Sequence, residues 1–176
     1  MSDQDRIVRW AEIGDAADMA RVVNASWRSG YRGLIPDEML DSLDDARSTT
    51  QWLPRLRDGY EYAGQRAHVL VATDAEGHVV GVSMFGEERD HKSEGRGELW
   101  ALYVAPSHWD RGYGRSLLRA AEAHLASSGL SDLVLWVLEN NARARHFYEG
   151  ATWQCDDVKK PFGDSGTDEV RYGKQS

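Results

Sequence analysis

Glu98-Leu-Trp-Ala-Leu-Tyr-Val-Ala-Pro-Ser-His-Trp-Asp-Arg-Gly-Tyr-Gly-Arg-Ser-Leu-Leu118 reads as a strand, a short loop and the start of a helix. Leu99 to Val104 are apolar or aromatic throughout, the pattern of a strand covered on both faces. Pro106 ends the run because it has no N–H for a central ladder. Gly112 and Gly114 let the backbone approach a ligand without a Cβ between them. Leu117, Leu118, Ala121 and Leu125 then recur at helical spacing, so a helix begins near Gly112 with one face toward the core.

A helix start exposes N–H groups that no residue within the helix can satisfy, and its dipole is positive at that end, so it suits an anion. Arg111 and Arg115 flank this one. Cations in a first turn oppose the dipole, at roughly 0.3–1 kcal/mol each, and a bound phosphate reverses that cost. A dinucleotide fingerprint needs Gly or Ala where Leu117 stands, and the triphosphate loop G-x-x-x-x-G-K-[ST] occurs nowhere.

On Trp109-Asp110-Arg111-Gly112-Tyr113-Gly114 the chain resembles the coenzyme A loop of the GCN5-related N-acetyltransferases, [Q/R]-x-x-G-x-[G/A]. Trp109 replaces the usual Gln or Arg, and Asp110 a frequent Gly. Leu135-Trp-Val-Leu-Glu-Asn-Asn-Ala-Arg-Ala-Arg-His-Phe-Tyr-Glu149 resembles the closing motif of that family, with Asn141 at the helix-initiating Asn and Tyr148 at the Tyr that faces the thioester. Thr152-Trp153 stands where the family usually has Gly-Phe.

The resemblance implies an α/β fold. A mixed, mostly antiparallel sheet would contain one splayed parallel pair, with helices on both faces. It implies acetyl-CoA as cosubstrate and transfer of its acetyl group to a primary amine. Gly112, Tyr113, Gly114 and Arg115 would hold the pyrophosphate with Arg111 beside them, and Asn141 would contact the cofactor arm. Backbone N–H groups around Tyr103 and Val104 would face the reacting oxygen. Glu98 sits where the best-known general base of the family lies, with Glu87 and Glu88 as fallbacks, and Tyr148 would donate to the departing sulfur. Trp27, Tyr31 and Trp100 are candidate walls of the acceptor pocket. A protein or peptide acetyltransferase and a CoA-binding domain without turnover are the alternatives.

Acyl transfer to an amine has requirements of its own. A free alkyl amine, with a pKa near ~10, must lose a proton before it attacks. The developing oxyanion needs donors, and the leaving thiolate needs an acid.

The 176 residues suit one domain over 1–176. A formal charge of −8 argues against a general nucleic-acid or anionic-membrane surface and favours a small cationic acceptor, such as an antibiotic or polyamine. Cys155 stands alone, so no internal disulfide forms, and it has no nucleophile signature. The six histidines lack paired ligand spacing, so no metal is expected. No apolar run reaches ~18 residues and the first residues do not read as a signal peptide, which makes a cytoplasmic enzyme the expectation. A homodimer is open, as dimers are common in the resembling family.

Elsewhere, 6–13 reads as a strand, and Asp15 as the cap of a helix over 16–27. A short helix covers 37–43, and weaker helical periodicity follows over 44–58, interrupted at Pro54. Residues 59–66 read as loop, 68–73 and 79–85 as a hairpin, and 87–97 as a mobile loop that could act as a lid. A strand over 133–138 and a helix over 142–149 follow. Residues 152–159 and 167–173 form a final antiparallel pair.

Overall fold

The structure, a computed structural model, describes residues 7–62, 65–89 and 95–175. Strand β1 (Ile7–Trp10) leads through a 3-10 turn into helices α1 (Ala16–Gly30), α2 (Asp37–Asp41) and α3 (Asp45–Asp58). Then come β2 (Tyr60–Tyr62), β3 (Gln65–Thr73), β4 (Val79–Glu87), β5 (Arg96–Val104), α4 (Tyr113–Ser127), β6 (Asp132–Leu138), α5 (Ala142–Glu149), β7 (Gln154–Pro161) and β8 (Asp168–Gln175). The sheet order is β1-β3-β4-β5-β6-β8-β7, with β2 added on β3. Among the described residues β5 and β6 make the parallel pair, and the other pairings are antiparallel.

Alternation along the strands divides the core between two faces. Leu70 and Ala72 of β3 pack with Leu117, Leu118, Ala121 and Leu125 of α4. Val71, between them, packs with Met19, Ala20 and Val22 of α1 and Trp52 of α3. Helices therefore cover both sides of the sheet, and the apolar stripe read in the sequence after Gly112 is the buried face of α4.

Two features open the sheet at its centre. Met84 pairs with Ala101 and Phe85 with Leu99, so Trp100 is an extra residue in β5. Such a bulge bends its strand and increases its twist. The β5–β6 ladder runs from Arg96–Asp132 to Leu99–Leu135 and stops there, although β5 continues to Val104 and β6 to Leu138. Past the bulge the two strands diverge and leave a V-shaped notch.

Several local expectations change. α3 runs straight through Pro54, which lies on its exposed side, where the carbonyl left without a donor can turn to solvent. Part of the expected 59–66 loop is strand β2, since Tyr60–Tyr62 finds an edge on Ala67–Gln65 of β3. The ends of the stretch read as a lid are strand: Glu87 belongs to β4 and Arg96 and Gly97 to β5, and Glu88 N–H donates to Arg96 C=O at 2.9 Å. Residues 90–94 of that stretch lie outside the described residues. Asp15 precedes α1 but does not cap it; its carboxylate accepts from Glu12 N–H and pairs with Arg9.

Candidate active site

Gly112 sits at φ +87°, a left-handed conformation that costs a residue with a Cβ roughly 1–2 kcal/mol, and it turns the chain into α4. No side chain caps the first turn of that helix, so its N–H groups point outward as an anion site. A Cβ on Gly114 would come to 3.4 Å of the Phe147 ring, so the second glycine lets α4 and α5 approach. Asn141 begins α5 as expected, its Oδ1 accepting from Ala144 N–H at 3.0 Å.

The two departures from the family pattern have definite work. Trp109 Nε1 donates to the Val104 carbonyl at 2.7 Å, tying the loop back to the end of β5. The Arg143 guanidinium lies 3.5 Å from the centre of the Trp109 ring and 3.3 Å from the Asp110 carboxylate. Trp109 and Asp110 thereby hold a cation from α5 beside the α4 helix start. Arg115 lies on the same rim, reaching Gly150 C=O at 3.4 Å. Tyr113, by contrast, is a core residue through its ring, so only its backbone faces the rim. Arg111 is exposed and does not border the cleft.

The notch opens into a cleft of about 1060 Å³ that passes from the α4–α5 rim to the face covered by α1 and α3. Tyr103, Val104, Gly112, Tyr113, Gly114, Arg115, Asn141 and Tyr148 border it, as do Trp27, Tyr31 and Trp100. The backbone of β5 presents donors here in a definite register. Ala105 N–H donates to Val80 C=O at 2.8 Å. Since successive N–H groups point to opposite sides of a strand, Tyr103 N–H also faces β4. Those of Leu102 and Val104 face the notch. The sequence expectation of donors at Tyr103 and Val104 is thus shifted by one residue: Tyr103 brings its ring, and Leu102 takes its place as a donor.

Three phenols gather at the notch. Burial holds the Tyr148 hydroxyl far above its ordinary pKa, with Tyr103 adding to the effect. Tyr31 is raised chiefly by burial and then by Tyr103, to which it is hydrogen-bonded. Tyr103 is raised by burial, although Trp27 and Tyr31 lean the other way. All three keep their protons at neutral pH, and Tyr31 donates to Tyr103. Trp27 and Tyr31 stack edge to face at 5.0 Å, and Phe162 closes against Trp27 at 6.1 Å.

Glu98 occupies a different place from the one expected of a general base. Its side chain is buried, and it does not border the cleft. Arg89 covers it: the guanidinium donates from Nε at 3.1 Å and from Nη2, and Arg89 N–H donates to the other oxygen at 2.9 Å. Arg89, not Glu98, forms the wall, stacked 5.4 Å from the Trp100 ring centre. Glu87 and Glu88 do not border the cleft either. The carboxylate that does, on the α1 side, is Glu169 of β8, which is near enough to Tyr31 and Tyr103 to raise both further. Sequence reading passed over it; the signal available was its position beside Val170 in an alternating strand, on the face away from the α4 core. Cys155, in β7, does not border the cleft.

The family described as acetyltransferase (GNAT) matches residues 27–151. An uncharacterized N-acetyltransferase of Bacillus subtilis, YuaI, is 34% identical over 134 residues, 76% of this chain and 72% of that protein. A probable N-acetyltransferase of Mycobacterium tuberculosis is 29% identical over 150 residues, 85% of this chain and 80% of that protein. Among solved structures, the PaiA N-acetyltransferase of Thermoplasma acidophilum in complex with coenzyme A superposes with a TM-score of 0.76 at 21% identity, covering 100% of both chains. YncA of Salmonella typhimurium, with acetyl-CoA, gives 0.67 at 21% identity over 97% of this chain and 94% of that one.

Proposed function

Because this chain belongs to the acetyltransferase (GNAT) family and is an acetyl-CoA-dependent enzyme, we propose that it acetylates a primary amine of a small molecule by direct attack, with both substrates bound together. The observation that carries the reading is one continuous cleft joining an uncapped helix start to a splayed strand pair. Bound acetyl-CoA supplies an activated acetyl thioester. The α4 N–H groups, with Arg115 and Arg143 on the rim, match a pyrophosphate in charge and donor number. Asn141 sits at the notch side of that rim. Leu102 and Val104 N–H groups face the notch, where they can donate to the acetyl oxygen.

Tyr148, held protonated, is the donor for the departing sulfur. Glu98 fixes Arg89 in the wall, since a carboxylate already gripped by a guanidinium is poorly placed to accept a proton. Asp110 borders the cleft too, at the α4–α5 rim beside Arg143; Glu169 is the carboxylate on the α1 side that can take the ammonium proton, directly or through Tyr31 and Tyr103. No nucleophilic thiol borders the site among the described residues, in keeping with transfer in one ternary complex.

The test is release of coenzyme A thiol from acetyl-CoA across a library of amines and peptides. Release that depends on a small amine is the expected result. Release with peptides alone moves the acceptor class to proteins. Calorimetric CoA binding without release by any acceptor overturns the catalytic reading in favour of a binding domain.

A further inference from the structure

On the α1 side of the notch, four aromatic rings from three distant parts of the chain wall the cleft. Trp27 and Tyr31 come from the last turn of α1 and the residue after it, Tyr103 from β5 past the bulge, and Phe162 from just after β7. Ring centres lie 5.0 Å apart for Trp27 and Tyr31 and 6.1 Å for Trp27 and Phe162. Tyr31 and Phe162, like Trp27 and Tyr103, are 6.4 Å apart. Edge-to-face and tilted contacts at such spacings fix the orientation of each ring. All four border the cleft, and each is only half-buried.

This box stands apart from the two cores that join the sheet to α1, α3 and α4. Trp27, Tyr31 and Phe162 pack instead on a small cluster of Ile35, Leu40 and Leu138. Apolar ring surface turned toward a cleft yields its hydrophobic gain only when a ligand covers it, in proportion to the area covered. Tyr103 joins the box to the chemistry: it is near enough to Tyr148 to raise that hydroxyl further, and Leu102 and Val104 on either side of it turn their N–H groups to the notch. An amine placed to attack there has its own body against the rings. Among the described residues, Glu169 is the only carboxylate bordering this side, enough for one ammonium and not for the several of a polyamine. Ring faces also attract ammonium, but they favour its charged form, whereas the reaction needs the neutral amine. The rings therefore suit the uncharged part of the acceptor.

Taking the acetyltransferase reading above as its basis, we propose that the acceptor is an arylalkylamine: one primary amine joined by a short alkyl link to a flat aromatic body. The amine lies at the notch and its ring among Trp27, Tyr31, Tyr103 and Phe162. The reaction balances without a further reactant. The amine nitrogen bonds to the acetyl carbon and the carbon–sulfur bond breaks. Of the two protons the ammonium loses, one passes by Glu169 to solvent and the other leaves on the coenzyme A thiol by way of Tyr148.

Matched amines test this: phenethylamine and tryptamine carry a ring, hexylamine has apolar bulk without one, and putrescine and spermidine carry further charge. Thiol release with the full chain is expected to favour the ring-bearing amines by tenfold or more in kcat/KM over both other groups. Phe162→Leu and Trp27→Leu, from opposite sides of the box, keep an apolar side chain and remove a ring. Each is expected to raise the KM for tryptamine several-fold with little change in kcat, while calorimetric CoA affinity shows that the variant is folded. Unchanged KM in both folded variants, or equal or better turnover of hexylamine or the polyamines, overturns the arylalkylamine inference and leaves the acetyltransferase reading standing. No release with any of these amines, in a protein that binds CoA, overturns both.

Discussion

At the scale of single residues, the site depends on which side chains are occupied and which face the cleft. Glu98 is the clearest case. Its buried carboxylate is engaged from both oxygens by Arg89, so its charge serves to aim a guanidinium. Glu98→Gln keeps the shape and removes the charge; the acid limb of the pH profile of kcat/KM is expected to stay in place while turnover falls. Disappearance of that limb would return Glu98 to the role of base. Glu98→Ala removes the buried carboxylate that Arg89 donates to, at a cost of roughly 3 kcal/mol in chemical denaturation. Tyr148 gives the complementary experiment. Tyr148→Phe retains the ring that packs on Trp153 and Tyr172 but removes the donor. Turnover is expected to fall by about 10²-fold, as for loss of a positioned acid, with CoA affinity unchanged. Equal rates would remove Tyr148 from the chemistry.

At the scale of elements, two helix starts and one bulge make the site. Asn141 satisfies Ala144 N–H at the head of α5, and Asn141→Ala is expected to cost about 1 kcal/mol in urea unfolding, the usual loss of an N-cap. A change near zero would mean that packing alone fixes the helix. α4 lacks such a cap, and this difference between the two helices leaves its N–H groups for a ligand. Arg115→Glu puts an anion at that rim; the Kd for CoA, by calorimetry, is expected to rise at least tenfold, and an unchanged Kd would displace the phosphate site from α4. The bulge at Trp100 could not be read from the apolar run 99–104, because a bulge is a property of two strands. It appears only when β4 supplies Met84 and Phe85 as partners for Ala101 and Leu99. Pro54 within α3 and the β2 edge were missed for a related reason: local propensity was outweighed by what the neighbouring element offered.

At the scale of the whole molecule, distant segments meet to set charge and proton uptake. His68 of β3 and His124 of α4 meet at a tilt with ring centres 4.5 Å apart, beside Trp10 and Phe85. Burial lowers the His68 pKa, and His124 and Arg66 lower it further. The unfolded chain then binds the proton more readily than the native one, so this contribution is complete above about pH 6.5 and fades as pH falls through that value toward the native pKa. Melting temperature is expected to drop between pH 7.5 and 5 more steeply in the native protein than in His68→Gln; parallel curves would refute the linkage. The glycine-bearing turn, both helix starts and most strands were legible in the sequence, because each rests on backbone geometry within a few residues, and the fold was legible through the family resemblance. So were Trp27, Tyr31, Trp100 and Tyr148 as residues bordering the cleft. The sequence alone could not show that Glu98 is covered by Arg89 or that Glu169 enters the cleft. Those facts depend on which distant segments become neighbours, and charge summed along a chain does not record where in space each charge is placed.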